Sequence, residues 1–299
     1  GIASVGRLAL RERQIYFEYS KSFLECGIEL SPLHLPLQPG VTTFDRLLFE
    51  GLPGLFNDSL PDGWGRLLLD RSMRSLGVLP EELSPLDRLA HVGQAGMGAL
   101  IYEPDHALTS SQSRLDLDVL AEQTQEVLDG QAQDVLQELL ALNGSSAGAR
   151  PKAVIGVDGT RQHIVHGAHE LQPSYEPWLV KFANSTDGVD AGAIEYVYAL
   201  MAKAAGLDVP EVHLFSARNG SGYFATKRFD RHGHKRVHIH SACGLLHSDF
   251  RTPSLDYQDL IALTSTLTRD IGEVEKLFQL SVFNVLAHNR DDHAKNFSF

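Results

Sequence analysis

The chain has 299 residues, 43% of them hydrophobic and 21% charged. That is the balance of a globular protein with a real core, in one large or two medium domains. No apolar run approaches the roughly 18 residues that read as a membrane span, so no membrane association is expected. The formal net charge of −12 opposes nonspecific binding to nucleic acid. Two cysteines, Cys26 and Cys243, fit a reducing cytoplasm and exclude a disulfide framework or a CxxC zinc site. The opening Gly1-Ile-Ala-Ser-Val lacks the pattern of a signal peptide. Without an initiator Met, the chain is expected to be trimmed or partial.

The first hundred residues mix short strand-like runs, such as Gln14 to Tyr19, with turn residues. In "LFNDSLPDGWGRLLLDR", Leu55 to Arg71, the Pro61-Asp-Gly step reads as a turn and Arg66 to Ser75 as a helix. Asp105 to Arg114, rich in Ser and Asp, reads as a linker. Leu117 to Leu142 carries two helical patterns broken near Gly130, and Val135, Leu136, Leu139 and Leu140 form an amphipathic stripe. The small residues Gly144 to Ala149 form a loop. Lys152 to Val157 then reads as a strand, with a hairpin turn at Asp158-Gly159.

"EPWLVKF" is a buried-strand candidate around Lys181. The helix that follows can be N-capped by Asp190, shows Ile194, Val197, Tyr198 and Met201 on one face, and stops at Gly206 and Pro210. Val212 to Ala217 and Tyr223 to Arg228 read as strands joined through Asn219-Gly220. His232 to His240 reads as another hairpin. Ile271 to Ala287 is the strongest helix, with Val274, Leu277, Phe278, Val282, Val285 and Leu286 at helical spacing. A β-rich half with one embedded helix precedes a helical half. That is the α+β layout of a two-lobed kinase-like protein, and not the alternation of a doubly wound sheet.

Phosphoryl transfer needs a carboxylate to accept the nucleophile's proton, an Asn to hold a metal and a Lys to brace the phosphates; kinases use R-D-x-x-x-x-N for the first two. Arg290-Asp291 followed by Asn296 has that spacing, whereas Asp292 would need Asn at a position held by Phe297. Taken alone the pair also reads as a solvated turn after a helix. Its density argues otherwise: His288 to His293 and Lys295 sit between an apolar helix and Phe297-Ser-Phe, and polar groups so placed must be satisfied.

The Gly144-Ser-Ser-Ala-Gly-Ala loop lets backbone N–H groups approach phosphate oxygens, although it matches no standard nucleotide fingerprint and also reads as a connector. Lys181 and Glu195 repeat the strand-to-helix Lys–Glu pair of kinases, or are two unrelated surface charges. His232, His234, His238 and His240 alternate, but a zinc site among them would lack a carboxylate or Cys.

In family order, "LPDGWG", "SSAGARPKA", "WLVKF", "EYVYALMAKAAGLDVP", "KRFDR" and "NRDDHAKNFSF" resemble the HipA-type serine/threonine kinases, toxins of bacterial HipBA toxin–antitoxin systems. The resemblance covers nearly the whole chain. It implies Asp291 as catalytic base, supported by His293, and Asn296 as a magnesium ligand. It implies Lys181 as the ATP phosphate contact with Glu195 supporting it, and residues 145–152, including Ala147, Gly148, Ala149 and Lys152, as the phosphate loop. Lys227 to Phe229 would be the hinge beside adenine, acting mainly through backbone atoms. Autophosphorylation would fall on Ser145, with Ser146 as the alternative.

The implied organisation is an N-terminal β-rich subdomain over residues 1–105, a kinase-like N-lobe over 106–235 and the start of a helical C-lobe over 236–299. The family's second magnesium-binding aspartate and the rest of its helical lobe do not occur before Phe299. The natural protein is therefore expected to continue, and this piece to be weakly active or inactive. The implied activity is ATP-dependent transfer to a protein serine, as in an aminoacyl-tRNA synthetase. The partner would be a HipB-like antitoxin, through which alone DNA is reached. The alternatives are a catalytically incomplete module that serves the antitoxin, and a small-molecule phosphotransferase.

Overall fold

Alternation in Gln14–Tyr19 puts Ile15, Phe17 and Tyr19 on one face, and all three are buried, as a half-buried strand requires. In the computed structural model, which describes residues 2–107, 114–130, 135–143, 148–167, 171–184, 186–252 and 254–299, this strand is the middle of a three-stranded antiparallel sheet with Gly6–Arg11 and Val41–Thr43. The chain is mixed α+β and divides into two compact units, Gly1–Ser59 with His238–Phe299, and Leu60–Val237.

The first unit joins two distant stretches of chain through one largely enclosed carboxylate. Asp58 Oδ2 accepts from the Ser241 N–H at 2.7 Å and lies 2.6 Å from His240 Nδ1, while Asp58 Oδ1 accepts the Ser241 hydroxyl at 2.6 Å. His240 Nε2 lies 2.9 Å from Ser31 Oγ. Ser31 and His240 are buried, so this Ser–His–Asp chain is a structural joint closed to substrate. Beside it, His247 Nε2 accepts the Gly54 N–H at 3.1 Å, and the His247 ring stacks on His34 with centroids 4.1 Å apart. The hairpin expected over His232 to His240 shrinks to the pair Arg231–His232 and Lys235–Arg236. His238 and His240 have left it, because Leu30 O and Asp58 bind their rings.

The helices Tyr257–Thr268 and Ile271–Leu286 complete this unit. Asp256 and Asp270 accept N–H groups of the respective first turns, the ordinary N-cap role. Leu277 and Leu280 pack beside Leu260, Leu263 and Phe297. The outer residues Phe278, Val282, Val285 and Leu286 are exposed, so this helix is apolar on more of its circumference than its neighbours cover.

The second unit is built on a five-stranded antiparallel sheet in the order Ile164–His166, Lys152–Asp158, Tyr175–Lys181, Tyr223–Lys227, Val212–Phe215. One face, carrying Ile155, Trp178, Val180 and Ala225, packs against Trp64 and Leu68 of the helix Gly63–Ser75 and against the helices Leu117–Leu128 and Leu136–Asn143. The Gly63–Ser75 helix starts earlier than its apolar pattern predicts, because Gly63, read as a turn residue, is its first residue.

The helix Ala191–Ala204 packs on the strands Val212–Phe215 and Tyr223–Lys227 with a face other than its bulky apolar stripe. Gly192 permits the approach: a Cβ there would lie 2.1 Å from the Gly222 carbonyl oxygen. Ile194, Val197, Tyr198 and Met201 are left exposed. Asp190 stands at the N-cap position without a capping side-chain bond. Among the described residues, no helix is long and apolar enough to cross a membrane.

Burial, then the charges of His34 and His240, lower the His247 pKa from 6.5 to about 4. The unfolded chain therefore takes up this proton first as pH falls, so the His247 contribution to stability is complete above pH 6.5 and lost between there and about 4. Urea unfolding across this range is expected to show stability falling with pH. The fall should be shallower in His247→Gln, which keeps an acceptor for Gly54; identical pH profiles would exclude the assignment.

Candidate functional site

Antiparallel register brings two candidate lysines together. Lys152 pairs directly with Lys181 across the two central strands, and directly opposed residues project from the same face. Ala153, Ile155 and Val157 alternate to the other face, where they line the core, so both lysines leave the sheet on the side away from it. Lys152 is buried at 7% exposure, and its Nζ lies where a Cβ on Gly148 would come within 2.4 Å. Gly148 thus brings backbone against an ammonium group, at a φ of +111° that favours glycine.

Lys181 Nζ donates to Glu195 Oε2 at 2.5 Å, which realises the strand-to-helix pair. Arg150 joins it, with Nη1 3.4 Å from Glu195 Oε1 and Nη2 3.0 Å from Asp187 Oδ1. A cavity of about 260 Å³ opens here, lined among others by Gln125, Arg150, Lys181, Glu195 and Tyr223. Ala149 is exposed beside Gly148. Ser145, Ser146 and Ala147 lie outside the described residues.

At the hinge expected for adenine, the Lys227 side chain binds Glu176 at 2.5 Å, and the N–H groups of Lys227 and Arg228 donate to Glu211 O and Pro177 O. Phe229 is 53% exposed. The next residue, Asp230, is fully buried and takes Arg228 at 2.9 and 2.7 Å and the Gly98 N–H at 2.9 Å. Its carboxyl stays below the ordinary range even though burial, the largest influence, pushes it up, because the Arg228 bonds and charge and the Arg231 charge outweigh burial. The KRFDR segment thereby fixes the 93–98 loop, whose Gly96 carbonyl accepts from Arg228 and Arg231.

In the other unit, Asn284 near the end of the long helix starts a chain of polar contacts. Its Nδ2 lies 3.0 Å from the Tyr257 hydroxyl oxygen, which donates its own proton to Asp292 Oδ2 at 2.6 Å. Asn284 Oδ1 accepts from Asn289, and Asn289 Oδ1 accepts the Asp291 N–H at 3.0 Å. Burial, then the Asp292 bond, raises the Tyr257 pKa. The adjacent aspartates therefore differ. Asp292 is tied into the fold, whereas the Asp291 side chain is 83% exposed, with His293 Nε2 3.4 Å from its Oδ1.

Asn296 donates its Nδ2 to the Asp291 carbonyl, which directs Oδ1 elsewhere as a hard oxygen donor. The His293 ring lies 4.9 Å from that of Phe250. The tail is pinned by paired bonds between His240 and Phe299 and by the Ala242 N–H to Phe297 O. No group of three His, Cys, Asp or Glu among the described residues is placed to hold a metal ion.

Lys181 with Glu195, Lys152 with Gly148, and Asp291 with His293 and Asn296 are contacts within one unit or the other. Sequence reasoning missed Arg150, Tyr257 and Asn284, which carry no spacing signal of their own.

The HipA N-terminal domain family matches residues 2–103. A protein named "Putative kinase Y4mE" from Sinorhizobium fredii (strain NBRC 101917 / NGR234) is 29% identical over 314 residues, covering 96% of this chain and 69% of that protein. The HipA of a Shewanella oneidensis MR-1 toxin–antitoxin complex, solved with HipB and its operator DNA, superposes with a TM-score of 0.69 at 21% identity. The match covers 99% of this chain and 70% of that one, and establishes the fold. Because the HipA-like C-terminal domain family matches residues 144–299, just over half of the chain, this protein belongs to the HipA family.

Proposed function

We propose that this protein is an ATP-dependent serine/threonine protein kinase of the toxin–antitoxin type. The observation that carries the reading is the Lys152–Lys181 opposition with Lys181 bonded to Glu195, the arrangement that positions a phosphate-contacting lysine in kinases. The functional partition we carry forward is the N-terminal subdomain over residues 1–105, the nucleotide-binding lobe over 106–235, and over 236–299 the start of the helical lobe that bears the catalytic loop.

The residues present have clear roles in such a reaction. Lys181 and Lys152 brace phosphate oxygens, Glu195 holds Lys181 in place, and the hinge at Lys227 to Phe229 flanks adenine. Gly148 and Ala149, with Ala147, belong to the phosphate loop. Asp291 accepts the proton of the attacking serine hydroxyl. His293, 3.4 Å away, orients that carboxylate. Magnesium fits Asn296, because this metal takes one or two protein oxygens and completes its shell with water and phosphate, and Oδ1 is the amide atom that remains once Nδ2 is committed to Asp291 O. When bound, the metal would neutralise charge on the transferring phosphoryl group.

The phosphorylated target is a serine of a translation protein such as an aminoacyl-tRNA synthetase. Autophosphorylation on Ser145, or on the adjacent Ser146, switches the site off by adding negative charge to the phosphate loop. A HipB-like antitoxin is the partner. DNA is reached through it, as the net charge of −12 favours.

In protein expressed from its complete gene, Asp291→Asn is expected to lower phosphate transfer from radiolabelled ATP by at least about a hundred-fold and to leave ATP affinity within about two-fold. Undiminished self-labelling would remove Asp291 as the base. Asp292→Ala breaks the Tyr257 bond and should cost about 1 kcal/mol of stability, with transfer reduced far less than by Asp291→Asn; chemical denaturation and the same labelling assay measure both. Mass spectrometry after Mg-ATP treatment should find phosphate on Ser145 or Ser146. A modified form that binds ATP as tightly as the unmodified one contradicts the switch.

A further inference from the structure

The helix Gly63–Ser75 begins with its capping residue turned outward. Asp62 occupies the N-cap position, where an aspartate ordinarily accepts a first-turn N–H, yet its side chain makes no capping bond. Asp62 Oδ1 instead accepts the N–H of Gly148 at 2.5 Å, and the Trp64 N–H donates to the Gly148 carbonyl at 3.2 Å. Both backbone polar groups of one loop residue are thus held by one turn, and a helix-terminal N–H without a partner in its own helix finds one in the loop.

The approach leaves no room for a side chain. A Cβ on Gly63, at φ +43°, would lie 2.5 Å from the Ala149 Cα. The same turn grips the other side of the loop, since a Cβ on Gly65 would lie 2.4 Å from the Asn143 amide nitrogen. Asn143, fully buried, is the last residue of the helix Leu136–Asn143. Trp64, 2% exposed, anchors the turn in the core beneath the sheet. The residues flanking 144–147 on either side therefore both rest on the segment 62–65.

We propose that Asp62 to Gly65 form a dock that fixes Asn143 and Gly148, the described residues on either side of 144–147, and that Asp62 is a positioning residue for phosphate binding. It acts by holding Gly148 against Lys152. This rests on the reading of residues 145–152 as a phosphate loop.

The test compares wild type, Asp62→Ala, Asp62→Asn and Gly63→Ala in the full-length protein. It follows hydrogen–deuterium exchange of the peptide containing Gly148 and titrates Mg-AMPPNP. Asp62→Ala and Gly63→Ala are expected to speed exchange in that peptide by about ten-fold and to weaken Mg-AMPPNP binding by a similar factor. Asp62→Asn keeps an oxygen acceptor and should retain most of both. Peptides of the 175–181 strand should exchange at the wild-type rate in every variant.

Unchanged exchange at Gly148, or faster exchange spread equally over the sheet, overturns the dock. If Asp62→Ala fails to fold, loosening by Gly63→Ala and not by Asp62→Asn still supports it, and the reverse refutes it. Wild type that does not bind Mg-AMPPNP would defeat the kinase reading, while the exchange comparison would still decide the dock.

Discussion

Two ammonium groups set directly opposite each other on one face of a sheet are the constraint around which the second unit is organised. The register that pairs Lys152 with Lys181 also pairs Ile155 with Trp178 and Ala153 with Val180. The apolar face and the cationic face are therefore fixed by the same hydrogen bonds, and a slip of one residue would exchange them. Like charges at opposed positions are destabilising on their own. Glu195 offsets Lys181 from the neighbouring helix, and Arg150 adds a third cation that reaches both Glu195 and Asp187. Cations gathered this way, beside Gly148, whose N–H and carbonyl are held by Asp62 and Trp64, suit a ligand that is itself polyanionic.

The unit that carries Asp291 solves a different problem, which is to hold an exposed carboxylate still. The path Asn284, Asn289, Asp291 N–H, with the Tyr257–Asp292 bond beside it, positions the loop backbone from the end of the long helix. The side chain of Asp291 stays open to solvent while its neighbour is tied down. Phe297 closes the segment by burying against Leu260 and Leu263. Within the polar run His288 to Lys295, Asn289 and Asp292 bond to Asn284 and Tyr257 and shape the loop, while His288, Arg290 and Asp291 stay exposed.

Much of this was legible because local pattern alone sets these elements. The strands Gln14–Tyr19, Lys152–Asp158 and Tyr175–Lys181 and the helix Ile271–Leu286 follow their periodicities. Lys181 with Glu195 was legible as a strand-to-helix pair. The helix Ala191–Ala204 shows where periodicity stops informing. Its bulky stripe is apolar, but the contact face is chosen by Gly192, whose missing side chain admits the neighbouring backbone. Asp62 was out of reach for another reason. Its partner lies 86 residues away, and an aspartate before a helix reads as an ordinary cap. The histidines 238 and 240 alternated as a hairpin would, but partners at Leu30, Ser31 and Asp58 drew them into a joint no spacing rule describes.

The paired lysines are tested most directly by calorimetric titration of Mg-AMPPNP into wild type, Lys152→Met and Lys181→Met. Saturable one-to-one binding to wild type is expected, with each substitution weakening it by about ten-fold or more. Absence of binding to wild type, or equal affinity in all three proteins, would contradict a nucleotide held between the two lysines.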